Sequence, residues 1–190
     1  YIGLVEVGVG LIPGGGGTKE FAVRASESFF EGDVQIPTLV EKLKVIATAT
    51  VSTSAYEGFK HGYLQHDRDI VEINLNKVLS TAKAKVLSLA QNYNAPIPKE
   101  VTVLGRGGLG TLYTALNEFY LGKYMSAYDL EIAKKVAYVL CGGDLTGQQH
   151  ADVGLLVDGL AQQVHSHAGP DGGDVPGAQQ TDDLFEAVDD

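Results

Sequence analysis

The sequence predicts an α/β body that is mostly helical, with a few short strands, followed by an acidic tail. Three observations carry this reading. Apolar residues recur at helical spacing in several successive segments. Two short apolar runs, Tyr1–Val9 and Val101–Leu104, lead through glycine-rich stretches into such segments. The charge is also divided along the chain. All 14 Lys and Arg precede residue 136, whereas nine of the 24 acids fall in residues 151–190. Residues 1–150 therefore stand near neutrality, at −1, and the last forty carry −9 of the net −10.

Taken in order, Tyr1–Val9 reads as a strand ended by Gly10 and Pro13. Thr18–Ser26 reads as a helix opening after the glycines, and Phe29–Ile36 as a loop with Gly32 and Asp33. Pro37 suits the first turn of a helix whose Leu39, Leu43, Ile46 and Ala47 share one face. Val51–Lys60 reads as a further helix ended at Gly62, and Asp69–Ile73 as a short strand or an extended connector. Asn76–Asn92 is the clearest helix, with Asn76 as N-cap and Leu79, Ala82, Val86, Leu89 and Ala90 as its apolar face. A loop with Pro96 and Pro98 precedes the run Val101–Leu104. Leu109–Leu121 and Ser126–Leu140 are two more helices, the second opened by Ser126 or Asp129 and closed by Gly142, Gly143 and Gly147. From Gln148 onward the texture changes. His165–Gly177 is dense in Gly, Pro, His and Asp, and the last ten residues hold five acids. The body is thus expected over residues 1–147, with a tail over 148–190.

A chain of 190 residues with 44% hydrophobic content can build one domain with a real core. Cys141 is the single cysteine, which excludes a disulfide framework and a Cys-based metal site and fits a reducing, cytoplasmic setting. No signal peptide and no membrane-spanning apolar run is visible. No basic stripe marks a nucleic-acid partner. The chain lacks an initiator Met and enters strand-like sequence by its second residue, so it reads as a fragment.

Glu6 is the acid most worth a role. It lies within an apolar run, where ionising a carboxyl is costly and a protonated, proton-donating form is favoured. Alternation places it opposite Val5, Val7 and Val9, on a side shared with Gly8 and Gly10, which leaves room for a ligand. The plain alternative is an edge-strand Glu facing solvent. Gly14–Lys19 superficially suggests a phosphate loop. The order Gly17-Thr18-Lys19, however, misplaces both the amine and the hydroxyl, so a turn packing a helix closely on a strand explains the glycines better. Gly105-Arg106-Gly107-Gly108-Leu109-Gly110 matches a dinucleotide fingerprint, with Asp129 about twenty residues on. The intervening sequence reads as helices with no second strand, so a loop-to-helix turn is preferred. His165 and His167 lack a carboxylate or Cys at metal spacing, and no metal site is expected.

The stretch from Glu6 through Gly10, Pro13, Gly14, Gly16, Gly17 and Thr18 resembles the crotonase (enoyl-CoA hydratase/isomerase) family at its second catalytic acid. That family's pattern is roughly P-E-x-x-x-G-x-x-P-G-x-G-G-T, and Val5 stands where Pro is usual. Ser54-Ala55-Tyr56-Glu57 followed by Gly62-Tyr63-Leu64 is similar to a downstream family stretch, and Val78–Ala90 to its following helix. The segment Gly32–Thr50 and the blocks Val101–Phe119 and Asp129–Gly147 resemble one subgroup. Its long bacterial-type chains join a 3-hydroxyacyl-CoA dehydrogenase to a hydratase-like region.

The resemblance implies a partial crotonase-type (ββα) fold and syn hydration of a trans-2-enoyl-CoA by two glutamates. One activates water, and the other exchanges a proton with the α-carbon. Glu6 matches the second, the donor to carbon 2. Pro13 and Gly14 fall at its substrate-binding turn. The first glutamate and both oxyanion N–H donors belong to a preceding segment. The resemblance further implies an acyl-CoA substrate and no cofactor in this stretch, with NAD expected on an upstream dehydrogenase part. It implies docking on that part, and association with further copies or with a thiolase. A crotonase-fold isomerase and a non-catalytic scaffold are the alternatives. Beyond Gly147 the chain departs from the subgroup, which continues into a charged helix and a basic end. A frame change near Gln148 or a natural acidic linker would each account for this, and Leu155–Gln163 reads as a short helix under both.

Overall fold

The computed structural model describes residues 1–30, 32–95, 97, 100–146, 149–152, 154, 156 and 163. The body is mostly helical. Its helices are α1 (Gly17–Glu27), α2 (Ile36–Ala47), α3 (Ala55–His61), α4 (Val78–Ala90), α5 (Gly105–Leu121) and α6 (Ala127–Leu140). Two small antiparallel sheets accompany them. β1 (Ile2–Gly3) pairs with β2 (Val51–Ser52), and β3 (Glu100–Val103) pairs with β4 (Gln149–Asp152) so that Val101 faces Ala151.

Helix α6 is the centre of the body. A capping box fixes its start: the Asp129 N–H donates to Ser126 Oγ (3.1 Å) and the Ser126 N–H donates to Asp129 Oδ2 (2.9 Å). Hydrogen bonds to the Asp129 carboxyl from the Ser126 backbone and side chain hold it below the usual carboxylate range. Both candidate openers therefore act, Ser126 as N-cap and Asp129 as its third-position partner. Ile132, Ala133, Val136, Ala137, Val139 and Leu140 are all buried, an arc too wide for one neighbour. α6 accordingly packs on α1, α2 and α5 together. Each neighbour supplies a stripe at helical spacing: Phe21 and Ala25 from α1, Leu39, Leu43 and Ile46 from α2, and Leu109, Leu112 and Leu116 from α5. The Ser26 hydroxyl at the end of α1 accepts from the Thr102 N–H (2.6 Å) and ties α1 to β3.

Cys141 closes α6 and is fully buried, and burial pushes its thiol up to about 12. The unfolded thiol ionises near 8.5, so above that pH proton loss favours the unfolded chain. Stability is full below about pH 8.5 and falls as pH rises towards the folded value. At pH 8 a thiol reagent is expected to label Cys141 only as fast as the body opens. Labelling as fast as a free thiol would contradict this packing.

Several elements differ from the sequence expectation. Tyr1–Val9 is not one strand. Only Ile2–Gly3 is extended, and Glu6–Val9 forms a 3-10 turn closed by Gly10 at φ +79°. The cause is local. The Gly8 N–H donates to the Val5 carbonyl (2.9 Å) and the Leu11 N–H to the Glu6 carbonyl (3.0 Å), so the backbone satisfies itself without a strand partner. The face alternation inferred for Glu6 lapses with the strand. Val51 and Ser52 are strand rather than helix, because the Ser54 hydroxyl accepts from the Glu57 N–H (3.2 Å) and starts α3 at Ala55. Asn74, not Asn76, is the capping Asn, and a 3-10 turn (Leu75–Lys77) precedes α4. Asp69–Ile73 is an irregular connector. α5 begins at Gly105, not Leu109. The Gly105 and Arg106 N–H groups donate to the carbonyls of Cys141 (2.9 Å) and Leu145 (2.7 Å), which satisfies first-turn donors and draws the glycines into the helix.

The acidic tail read as beginning at Gln148 contributes to the body, since β4 pairs with β3 and Leu156 is buried. Gly154, Leu156 and Gln163 are helical, in keeping with a short helix there. His165, His167 and the acidic end lie outside the described residues. The remaining residues of the expected short helix, and Gly147, do so as well.

Candidate functional site

Glu6 opens the 3-10 turn, half-buried rather than enclosed, and its carboxyl makes no hydrogen bond to a described residue. Two tyrosines hold this turn at its ends. At the entry, the Tyr63 hydroxyl donates to the Thr50 carbonyl (2.8 Å) and accepts from the Leu4 N–H (3.4 Å). At the exit, the Tyr128 hydroxyl donates to the Gly10 carbonyl (3.0 Å) and its ring covers Gly10. A Cβ on Gly10 would come within 2.6 Å of that ring, and the left-handed backbone there also demands glycine. Tyr63 is itself packed on Phe21, ring centroids 5.2 Å apart. Arg24 donates to the carbonyls of Gly62 (2.8 Å) and Tyr63 (3.0 Å), so α1 anchors the tyrosine that anchors the turn.

Burial raises the Tyr63 phenol above its ordinary value. The Leu4 N–H opposes this, and the nearby Glu6 carboxylate adds to it. The effect places Tyr63 within electrostatic reach of Glu6. Removing the hydroxyl, Tyr63→Phe, is expected to lower unfolding free energy by about 1 kcal/mol, read from a urea midpoint. An unchanged midpoint would show that the clamp adds nothing.

Beyond the turn, Pro13 is fully buried, whereas Gly14 and Gly15 face open space. Gly16 takes φ +82° as N-cap of α1, and Gly17 lies against the Leu4 side chain where a Cβ would overlap it. At Gly17 the missing side chain thus lets α1 pack on Leu4, just past β1. Thr18 is fully buried, and its hydroxyl has no partner among the described residues. Glu6, Pro13 and Gly14 belong to one continuous turn-and-loop segment running into α1, and among the described residues no hydrogen bond joins Glu6 to Pro13 or Gly14.

Other candidates take structural roles. Ser54 and Glu57 cap α3: Glu57 Oε2 accepts from the Thr53 N–H (2.7 Å) and hydroxyl (2.8 Å), donations that lower its pKa. His61 Nδ1 is 3.0 Å from Ser52 Oγ, and His66 stacks on Phe59. No metal-holding cluster occurs among the described residues, and no described helix is long and apolar enough to cross a membrane. The glycines from Gly105 to Gly110 do not fit a dinucleotide. They lie inside α5, β3 pairs antiparallel with β4, and Asp129 is spent on the capping box.

Sequence reasoning quoted Gly62-Tyr63-Leu64 but gave Tyr63 no role, and it missed Arg24 and Tyr128. These act through bonds to distant backbone atoms, for which no local pattern exists.

Comparison with known proteins bears on what this segment belongs to. No protein-family model and no solved structure matches the chain. A Bacillus subtilis (strain 168) protein, by its name a probable 3-hydroxyacyl-CoA dehydrogenase, is 35% identical over 159 residues. That match takes in 83% of this chain and 20% of the relative. The chain resembles part of a protein named for 3-hydroxyacyl-CoA dehydrogenase activity. A Rickettsia felis protein, provisionally named as a fatty acid oxidation complex trifunctional enzyme, is 34% identical over 101 residues. There the match covers 53% of this chain and 12% of the relative. The chain thus spans a fifth or less of the length of these relatives. A continuous match of 83% of the chain must include everything from α2 to α6.

Proposed function

We propose that this chain is the hydratase-like part of a longer fatty acid β-oxidation enzyme acting on trans-2-enoyl-CoA. The observation that carries it is the 35% identity across most of the chain to a relative about five times the matched length. The Glu6 turn supports the hydratase assignment. A half-buried carboxyl on a backbone clamped by Tyr63 and Tyr128 is held in place yet reachable, as a group that shuttles a proton must be. In this reading Glu6 gives the proton to carbon 2. The open backbone at Gly14, set by buried Pro13, lies against the thioester substrate. The acid that activates water and the N–H pair that holds the thioester oxygen come from outside residues 1–190, as does the NAD-binding part. Docking on that part, and assembly with further copies or a thiolase, belong to the same proposal, as does a cytoplasmic location.

With half of the constellation elsewhere, the 190-residue chain alone is expected not to turn over crotonyl-CoA, whereas the longer enzyme does. Turnover by the isolated chain would refute the divided site. Failure of the longer enzyme to hydrate enoyl-CoA would refute the hydratase reading. An isomerase needs only one carboxylate moving a proton between carbons 2 and 4, and conversion of 3-enoyl-CoA without hydration would select it. One observation favours a scaffold instead: the Bacillus relative is named for dehydrogenase activity alone. In that case the segment would support the dehydrogenase part structurally, and Glu6 would be dispensable.

A further inference from the structure

Helix α4 is unlike the others. It has the apolar stripe of a packed helix, yet none of its residues is buried. Leu79 is 81% exposed, Val86 63% and Leu89 58%, and the stripe continues into Ile73 and Leu75 ahead of it. Leaving such a stripe in water forgoes the stabilisation that burying each large side chain would give. The only charges from Leu75 to Gln91 are Lys77, Lys83 and Lys85. Helical spacing sets Lys83 and Lys85 beside the stripe.

These features select among possible occupants. A second copy pairing α4 with α4 in register would bring lysines together, each against its own counterpart if parallel and Lys83 against Lys85 if antiparallel, a like-charge clash in both. A helix of 13 residues is about 20 Å long, and one face of it covers on the order of 400 Å², about half of what each partner buries in a standard interface. That is small for a separate partner but sufficient within one polypeptide, where tethering supplies a high effective concentration. The Bacillus relative matches this chain across α4, whatever the placement of the match, and has four fifths of its length outside it.

We propose that α4 is the helix by which this chain seats on the remainder of the longer polypeptide, in an apolar groove rimmed by carboxylates. The proposal rests on the reading that the chain is part of a longer enzyme. The test is hydrogen exchange of residues 78–90 in two settings: the 190-residue chain, and the intact Bacillus subtilis relative with its matched stretch replaced by that of this chain. Exchange is expected to be fast in the chain alone and about 100-fold slower in the chimera. Lys83→Glu together with Lys85→Glu should restore fast exchange while residues 127–140 stay protected.

Equal exchange in both settings overturns the proposal. So does protection in the isolated chain: protection that grows with concentration would mean a second copy covers α4, and protection independent of concentration would mean another segment of the same chain does. Should the chimera fail to fold, seen as loss of protection in 127–140, the aligned helix of the unmodified relative decides, slow exchange supporting the proposal and fast exchange overturning it. Enoyl-CoA hydration is read in parallel. A protected α4 without hydration removes the functional reading and leaves the docking, and hydration with an unprotected α4 does the reverse.

Discussion

Glu6→Gln in the longer enzyme is expected to lower enoyl-CoA hydration by about 10²–10⁴-fold, the usual contribution of one positioned acid–base group. Glutamine keeps the shape and hydrogen-bonding capacity of the side chain but cannot release or accept the proton. Glu6 bonds to no described residue through its carboxyl, and its turn is held by backbone contacts of Leu4 and Gly10 with the two tyrosines. The substitution should therefore leave the thermal midpoint nearly unchanged. The pairing of the two readouts is what gives the experiment force. Lost hydration at unchanged stability assigns the proton step to Glu6, and unchanged hydration at unchanged stability assigns the segment to a supporting role.

The largest effect on stability is expected at Gly142. It follows α6 in the left-handed region at φ +73°, and a Cβ there would lie 2.6 Å from Val103 Cβ and Cγ1. Val103 is itself buried in β3, whose pairing with β4 and bond to α1 leave it little room to retreat. Gly142→Val combines the left-handed penalty with overpacking, together about 2–5 kcal/mol, against a total stability of roughly 5–15 kcal/mol for a domain. A urea midpoint reads this directly, and a shift below about 1 kcal/mol would mean β3 yields easily. Gly110→Ala is the matched control. It lies within α5 with open space around it, so an added methyl should stabilise by about 0.5–1 kcal/mol.

The sequence made the four packed helices readable because each repeats its apolar positions at helical spacing between recognisable ends. Ser126 with Asp129 is the plainest case, and Pro37 in the first turn of α2 another. The entry strand misled for a physical reason. The alternation of Val5, Val7 and Val9 is equally compatible with a 3-10 turn once Gly8 and Gly10 let the backbone bond to itself. The glycines that open α5 read as a loop from sequence because nothing local shows that Cys141 and Leu145 supply the missing acceptors. Within the candidate site, Glu6, Pro13 and Gly14 were visible as a local pattern. Tyr63 and Tyr128 were not, since the partners of Tyr63 lie 13 and 59 residues away and that of Tyr128 lies 118 away. The stripe on α4 was visible too, but periodicity reports that a face is apolar and not what covers it.

The bond from Tyr128 to Gly10 also bears on the order in which the molecule is made. It closes a loop of 118 residues, and such a contact carries a chain-entropy cost that only an already assembled body can offset. The turn bearing Glu6 is made before α6, but its exit is fixed only when that helix has formed and packed. The Glu6 turn thus acquires its full geometry late in the folding of this body, and a polypeptide stalled before α6 would carry Glu6 on a turn held at its entry alone.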